Sequence, residues 1–212
     1  MKECRQMRNG GANRHGSKPR GTRASKRALP WCAAIAIITT LLCPAGVRSQ
    51  QQAGEYQVKA AFLFNFGKFV EWPESSFGEK NSPFSICVLG EDPFGGTLDH
   101  TLEGKQVLNR PVRLVRTTDP TVARQCQIVF VSASEKPHLS TVLRALSGSN
   151  ALLVGELPGF AAAGGAIELT IEDSHVRFAI NPEAIQRAGL QVSSQLLALA
   201  KIVREERNGG NG

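Results

Sequence analysis

Few side chains after residue 50 have the types and spacing that acid–base or metal chemistry requires. His100, His138 and His175 lie far apart in the sequence, whereas zinc ligands recur at short spacings. The carboxylate pair Glu172–Asp173 falls in a predicted turn, where solvated side chains are expected. The sequence has neither the Gly-x-Ser-x-Gly motif of a hydrolase nor a phosphate-binding loop. We therefore predict a protein that is not an enzyme, with no metal and no cofactor.

One turn has the position of a ligand-binding turn. The segment Gly-Glu-Asp-Pro-Phe-Gly-Gly, residues 90–96, follows a predicted strand and precedes a predicted helix. Its two acids and its proline disfavour phosphate binding. We interpret it as a turn at the edge of a sheet, with binding of a small ligand as the alternative.

The N-terminal segment predicts export. Nine Lys or Arg and one acid within the first 27 residues precede an apolar run from Ala28 to Cys43. A basic stretch, a short apolar stretch and small residues before the cleavage point are the three parts of a secretory signal. The run is short for a bilayer core, which needs roughly 20 helical residues. We expect residues 1–49 to be a signal peptide cleaved between Ser49 and Gln50. The alternatives are cleavage before Gly46 and an uncleaved anchor helix.

The charge of the chain belongs to that signal. The full chain carries +7, but residues 1–49 contain ten Lys or Arg and one acid, which leaves 15 basic against 17 acidic residues, a net of −2. The mature part therefore has no positive excess to attract nucleic acid. We predict one domain over residues 50–203 and a disordered tail over residues 204–212.

Two of the five cysteines lie after the signal, and they suggest a disulfide. Cys87 lies in the first predicted strand, and Cys126 leads into the third. If the sheet has the order 2-1-3, these two strands are neighbours. A bridge would close a loop of about 40 residues and stabilise the fold by about 4 kcal/mol in the chain-entropy model. The alternative is a pair of buried free thiols.

The elements around these residues predict an α/β domain. Short apolar runs bounded by turn residues indicate buried strands, and they alternate with amphipathic segments that indicate helices. A helix that is apolar almost all round, residues 55–70, comes first. We therefore predict a single compact domain with a largely parallel, Rossmann-like sheet flanked by helices. The predicted strands are 83–89, 112–116, 127–132 and 151–154, and the predicted helices between them are 94–102 and 138–146.

The pattern changes near the C-terminus. Residues 166–171 and 176–180 alternate between apolar and polar side chains around a turn, which predicts an antiparallel hairpin. Asn181 and Pro182 are typical of the N-cap and first position of a helix. A last helix is predicted from Ser193 or Ser194 to Val203, with its leucines packed on the sheet.

With these segments in place, the chain resembles the YfiR-like family of exported regulators from about Tyr56 to Val203. The resemblance rests on several stretches in the same order along the chain. They are Val-Lys-Ala-Ala-Phe-Leu-Phe-Asn-Phe-Gly-Lys-Phe-Val-Glu-Trp-Pro (58–73), Ile-Cys-Val-Leu-Gly-Glu-Asp-Pro-Phe-Gly (86–95), Gly159-Phe160 with Gly-Gly-Ala-Ile (164–167), Val-Arg-Phe-Ala-Ile-Asn (176–181) and Ala-Gly-Leu-Gln-Val-Ser-Ser-Gln-Leu-Leu-Ala-Leu-Ala (188–200).

The resemblance implies a periplasmic regulator that inhibits a membrane-bound diguanylate cyclase by binding its periplasmic sensor domain, which lowers cyclic di-GMP. It also implies release by an outer-membrane lipoprotein, a homodimer, and a family disulfide at Cys87 and Cys126. The alternative function is a periplasmic module that senses a small solute and reports to a membrane protein.

Three residues are predicted to bind the partner. Phe160 lies in a loop of small residues that cannot easily bury a large ring, so it either fills the core or faces a partner. Ile167 and Ile185 lie where the resemblance implies a partner face, in the hairpin and in the helix after Asn181. Alternation alone does not say which face of the hairpin is open.

Overall fold

The structure is a computed structural model that describes residues 45–79 and 81–205, with side chains described from Gln52 onward. The predicted signal peptide up to residue 44 and the predicted tail from residue 206 lie outside the described residues.

The described residues form six α-helices, ten strands and two short 3-10 helices. The α-helices are α1 (Ala45–Phe69), α2 (Gly96–Leu102), α3 (Pro120–Ala123), α4 (Leu139–Leu146), α5 (Pro182–Arg187) and α6 (Ser194–Leu199). The strands are β1 (Val70–Glu71), β2 (Phe84–Leu89), β3 (Gln106–Val107), β4 (Arg110–Thr117), β5 (Ile128–Val131), β6 (Leu152–Gly155), β7 (Ile167–Glu172), β8 (His175–Ile180), β9 (Gln191–Val192) and β10 (Lys201–Ile202). The 3-10 helices are Glu74–Ser76 and Ala133–His138.

Eight of these strands form one mixed sheet in the order β10-β8-β7-β6-β5-β2-β4-β3. Its five central strands, from β4 to β7, are parallel. The hairpin β7–β8 is antiparallel, as the alternation predicts. The order β4-β2-β5 is the predicted 2-1-3 arrangement, so the predicted fold class is confirmed.

The sheet separates two apolar clusters, because successive side chains of a strand point to opposite faces. In β2, Phe84, Ile86 and Val88 face the larger cluster, which lies under α1 and α2. Cys87 and Leu89 face the smaller cluster, which includes residues of α3 and α4. All six β2 residues are buried, which explains why the strand reads as a continuous apolar run.

The helix α1 lies on the face of the larger cluster. Its buried residues Ala60, Leu63 and Phe66 recur at three-residue steps, so one side of the helix meets the sheet. The rings of Phe62 and Phe66 contact Phe178 of β8 at centroid distances of 5.3 and 5.4 Å. The burial predicted for this apolar helix is therefore provided by its own domain on this side.

The C-terminus differs from the sequence prediction. Helix α6 ends at Leu199 instead of Val203, and residues 201–202 pair with β8 as strand β10. Leu199, predicted to pack on the sheet, is 74% exposed. The physical reason is the open edge of β8, whose backbone groups give residues 201–202 hydrogen-bond partners. The ribbon formed by β1 and β9 was also not predicted, because two-residue strands leave no periodic pattern.

Candidate functional site

A buried ion cluster lies at the carboxyl end of β6, where parallel sheets commonly bind ligands. Lys59 of α1 places its Nζ 2.6 Å from an oxygen of Glu156 and also pairs with Glu55 one turn earlier. The side chains of Lys59 and Glu156 are 4% and 10% exposed. Buried charges require such partners. The cluster therefore fixes α1 to the end of β6 and occupies this part of the edge.

Tyr56 completes the cluster. Its hydroxyl donates to the Glu156 carboxylate at 3.3 Å, and the Lys59 ammonium lies 4.6 Å from the centre of its ring. Burial, and then the negative charge of Glu156, raise the pKa of Tyr56 above its ordinary value. The phenol therefore stays protonated and acts as a donor, which is a structural role.

The turn after β2 is held by an arginine. Arg116 of β4 contacts Asp92 at 2.6 Å and Asp99 of α2 at 2.5 Å, and its guanidinium also donates to the Gly95 carbonyl. The hydrogen bond from Arg116 lowers the pKa of Asp99. Asp92 caps the turn by accepting from the Phe94 amide. Asp92, one of the two acids that disfavour phosphate binding here, thus has a structural use.

The space beside Gly90 and Asn181, where a solute pocket would favour the sensor function, is filled. A Cβ on Gly90 would lie 2.4 Å from the Ser134 hydroxyl and 2.8 Å from Glu135. Asn181 is 0% exposed, and its side chain has its hydrogen-bond partners inside the protein. Its amide nitrogen donates to the Ala161 carbonyl, and its oxygen caps α5 by accepting from the Ala184 amide. Neither position is open to a ligand in this conformation.

Cys87 and Cys126 form a disulfide. Their Cα atoms are 6.0 Å apart, and both residues lie in the smaller apolar cluster. Cys87 lies in the middle of β2, and Cys126 ends the turn between α3 and β5. The bridge therefore joins β2 to the segment that leads into its parallel neighbour β5, across 39 positions of the sequence.

Phe160 fills the smaller cluster, the first of the two roles considered for it. It is 0% exposed, and its ring lies between Gly155 and Gly165, where an added Cβ would approach ring carbons to 2.7 and 2.1 Å. The loop around it is fixed by Glu168, whose carboxylate accepts from the amides of Gly159 and Ala161. The small residues make room for the ring next to the sheet, which the sequence alone did not decide.

Ile167 and Ile185 are also interior residues. They are 0% and 3% exposed and belong to the larger apolar cluster. For these two residues and Phe160, contact with a partner stays a prediction, since none of them presents surface in the conformation described. A surface for a partner must therefore be sought among exposed residues.

An exposed apolar surface lies beside these buried positions, and we call it the hairpin patch. On the sheet it contains Ile171 and Val176, which are paired across the tip of the hairpin, and Ile171 is 48% exposed. On α1 it contains Val58, 44% exposed, and Phe62, half-buried one turn later. Phe62 contacts Phe178, which points to the same face as Val176, so the four residues lie on one side of the sheet.

The edge of β8 beside this patch is partly open. Strand β10 pairs only with Ala179 and Ile180, and the Ile180 carbonyl accepts from the Val203 amide. Backbone groups of alternate residues point the same way, so those of Val176 point to this edge beyond the end of β10. An open edge next to an exposed apolar patch is a common site for protein association.

Across residues 45–79 and 81–205, His, Cys, Asp and Glu nowhere gather in groups of three or more that could hold a metal ion. In the same part of the chain, no helix has the length and apolar character needed to cross a membrane.

Two solved structures share part of the architecture. One is a conserved domain protein from Vibrio cholerae O1 biovar El Tor, with a TM-score of 0.45 and 10% identity over 57% of this chain and 55% of that chain. The other is the ABC domain from Streptococcus pneumoniae in complex with L-Trp, with a TM-score of 0.45 and 12% identity over 56% of this chain and 55% of that chain. The chain thus spans about half the length of each, and neither likeness bears on what it does.

The model of the YfiR/HmsC-like family matches residues 56–201. The match begins within α1 and ends at β10, so it covers the sheet, the disulfide and the hairpin. The chain therefore belongs to the YfiR/HmsC-like family, whose members are known as periplasmic regulators in diguanylate cyclase signalling.

Proposed function

We propose that this protein is a periplasmic inhibitor of a membrane-bound diguanylate cyclase and acts by binding the cyclase's periplasmic domain. The observation that carries the proposal is the family match over residues 56–201, which covers nearly all of the described sheet. Binding of this inhibitor would lower cyclic di-GMP. A homodimer and release by an outer-membrane lipoprotein belong to the same proposal and rest on the family alone.

The hairpin patch supports a binding function. Exposed apolar side chains such as Ile171 and Val58 stabilise a complex when a partner removes them from water, by about 25 cal/mol for each Å² of apolar surface buried. The open backbone groups of Val176 add hydrogen-bonding capacity that a partner's extended segment could satisfy. The patch thus offers apolar contact and main-chain pairing side by side, which fits a protein partner.

The first test is genetic. Deletion of the gene in a strain that expresses the cognate cyclase should raise cyclic di-GMP and surface attachment, because the inhibitor is lost. Re-expression of the parent should restore the low level. Unchanged cyclic di-GMP in such a deletion would contradict the inhibitor function and favour the solute sensor.

The second test locates the contact. Ile171→Asp should weaken inhibition in cells while the thermal midpoint stays close to that of the parent, because the side chain is 48% exposed. An interface anchor typically contributes about 2 kcal/mol, roughly thirtyfold in affinity. Val122→Asp is the matched control, since Val122 is 40% exposed on α3, away from the hairpin.

The control variant should inhibit as the parent does. If Ile171→Asp also inhibits fully at equal protein level, the partner binds elsewhere. If Ile171→Asp melts much earlier than Val122→Asp, the residue supports the fold and the patch assignment fails.

A further inference from the structure

A cleft at the amino ends of β6 and β7 has Glu205, from the chain's own C-terminal segment, at its rim. The cleft lies between α4, β6 and α5 and has a volume of about 590 Å³. Its lining includes six small residues, Ala151, Ala163, Gly164, Ala166, Ala184 and Ala188. Small side chains at these positions produce the hollow, because larger ones would fill it.

Two arginines supply the charge of this cleft. Arg187 of α5 pairs with Glu205 at 2.5 Å, and Arg144 of α4 lies among the other lining residues. Among the described residues, Arg144 makes no ion pair, and its guanidinium has only a long contact of 3.4 Å with the Thr141 hydroxyl. Apart from Glu205, the charged residues that line the cleft are these two cations.

Glu205 shows how a carboxylate fits this site. Its oxygen lies 3.4 Å from the position that a Cβ on Gly164 would take, so the segment passes close to the glycine backbone. The segment reaches this point from β10, after the Val203 amide bonds to the Ile180 carbonyl. Both Arg187 and Glu205 remain partly exposed, at 52% and 30%, so the pair is weak and exchangeable.

We propose that this cleft binds an acidic peptide segment of a partner protein, with Arg187 and Arg144 as the carboxylate-binding groups. Glu205 occupies the Arg187 position in the free protein and competes with that segment. The cleft volume measured with Glu205 in place has room for more than one side chain. The small residues that line the cleft can therefore contact the residues next to the acidic residue in the partner's segment. This binding does not depend on the hairpin patch, which lies at the other end of β7.

The test uses a labelled synthetic peptide with the sequence of residues 203–212 in which Arg204 and Arg207 are replaced by glutamine, so that Glu205 and Glu206 supply its only charged side chains. Its binding to the mature chain is followed by fluorescence anisotropy at low ionic strength. Glu205→Gln in the protein should tighten binding about two- to fivefold, because the competing carboxylate is gone. Adding Arg187→Gln to that variant should weaken binding by at least about fivefold. Salt should weaken it as well.

Two controls separate recognition from general charge attraction. Arg113→Gln removes an exposed arginine of β4 that lies outside the cleft, and it should leave peptide binding unchanged. A peptide with glutamine at both acidic positions should bind as weakly as the glutamate peptide binds to the Arg187→Gln protein. Equal binding of the two peptides, equal effects of the Arg113 and Arg187 variants, or no saturable binding by the Glu205→Gln protein would overturn the proposal.

Discussion

At the scale of single residues, the ring of Phe160 depends on two glycines that leave room for it. Gly155 comes from the end of β6 and Gly165 from the segment before β7, so residues on both sides of the loop make the space. Interior side chains pack at nearly crystalline density, so even one added methyl group is felt. The loop and its aromatic residue therefore form a single packing unit.

Phe160→Ala should lower the free energy of unfolding by about 3–5 kcal/mol, because it leaves a cavity beside the sheet. Gly165→Ala should also destabilise the fold, since its Cβ would lie 2.1 Å from a ring carbon. Leu199→Ala is the control and should change stability little, since Leu199 is 74% exposed. Urea unfolding measures all three. A Phe160→Ala protein as stable as the control would show that the ring is not a core residue.

Tyr56 gives a second prediction at this scale, and it can be observed directly because the chain has one tyrosine. Its raised pKa means that the folded chain keeps the phenol proton where the unfolded chain loses it, above about pH 10. The stabilisation is full below that pH and is lost as pH rises through the folded pKa.

Phenolate absorption should therefore appear at a higher pH than for free tyrosine, and together with alkaline unfolding. Glu156→Gln should lower the midpoint, because it removes the negative charge that contacts the hydroxyl. Glu172→Gln, at the exposed hairpin tip, serves as the control with the same change of charge. A midpoint for the parent equal to that of free tyrosine would contradict the buried cluster.

The sequence identified several site features at this scale but not their environment. The disulfide could be predicted because two cysteines remain after the signal, and the predicted 2-1-3 strand order makes the strands beside them neighbours. The burial of Phe160 could not, because it depends on Gly155 and Gly165, whose approach to the ring is a tertiary fact. Lys59 was missed altogether, because a lysine in an apolar helix gives no sign that Glu156 lies within reach of it.

At the scale of elements, the long buried strands were predictable and the short ones were not. Strand β2 is a continuous apolar run that is buried on both faces, so its pattern is local and strong. Strand β10 has two residues and exists because β8 offers an unpaired edge. Its leucine-rich neighbourhood favours a helix in isolation, and tertiary pairing overrides that preference. The open edge of β8 is thus the element that decides both the end of α6 and the form of the hairpin patch.

At the scale of the whole molecule, the two proposed binding surfaces lie at opposite ends of β7. The hairpin patch contains Ile171 near the end of β7, whereas the cleft at Glu205 is lined by Ala166, just before β7 begins. The first is apolar, and the second has two arginines above a floor of small residues, so they suit partners of different chemistry. Because the two surfaces are about five residues, or roughly 16 Å, apart along the strand, one partner need not displace another.

The disulfide concerns the stability of the whole domain. It closes a loop across 39 positions, so it restricts the unfolded chain and should contribute about 4 kcal/mol in the chain-entropy model. The double variant Cys87→Ala, Cys126→Ala should lose that amount of unfolding free energy and therefore unfold at a lower urea concentration. An Ala123→Gly variant in the same cluster should lose less unfolding free energy. Because both cysteines are buried, reducing agents should act on the parent only as it unfolds. The exported parent should show no free thiol when denatured without reductant, and two free thiols per chain would show that the bridge does not form.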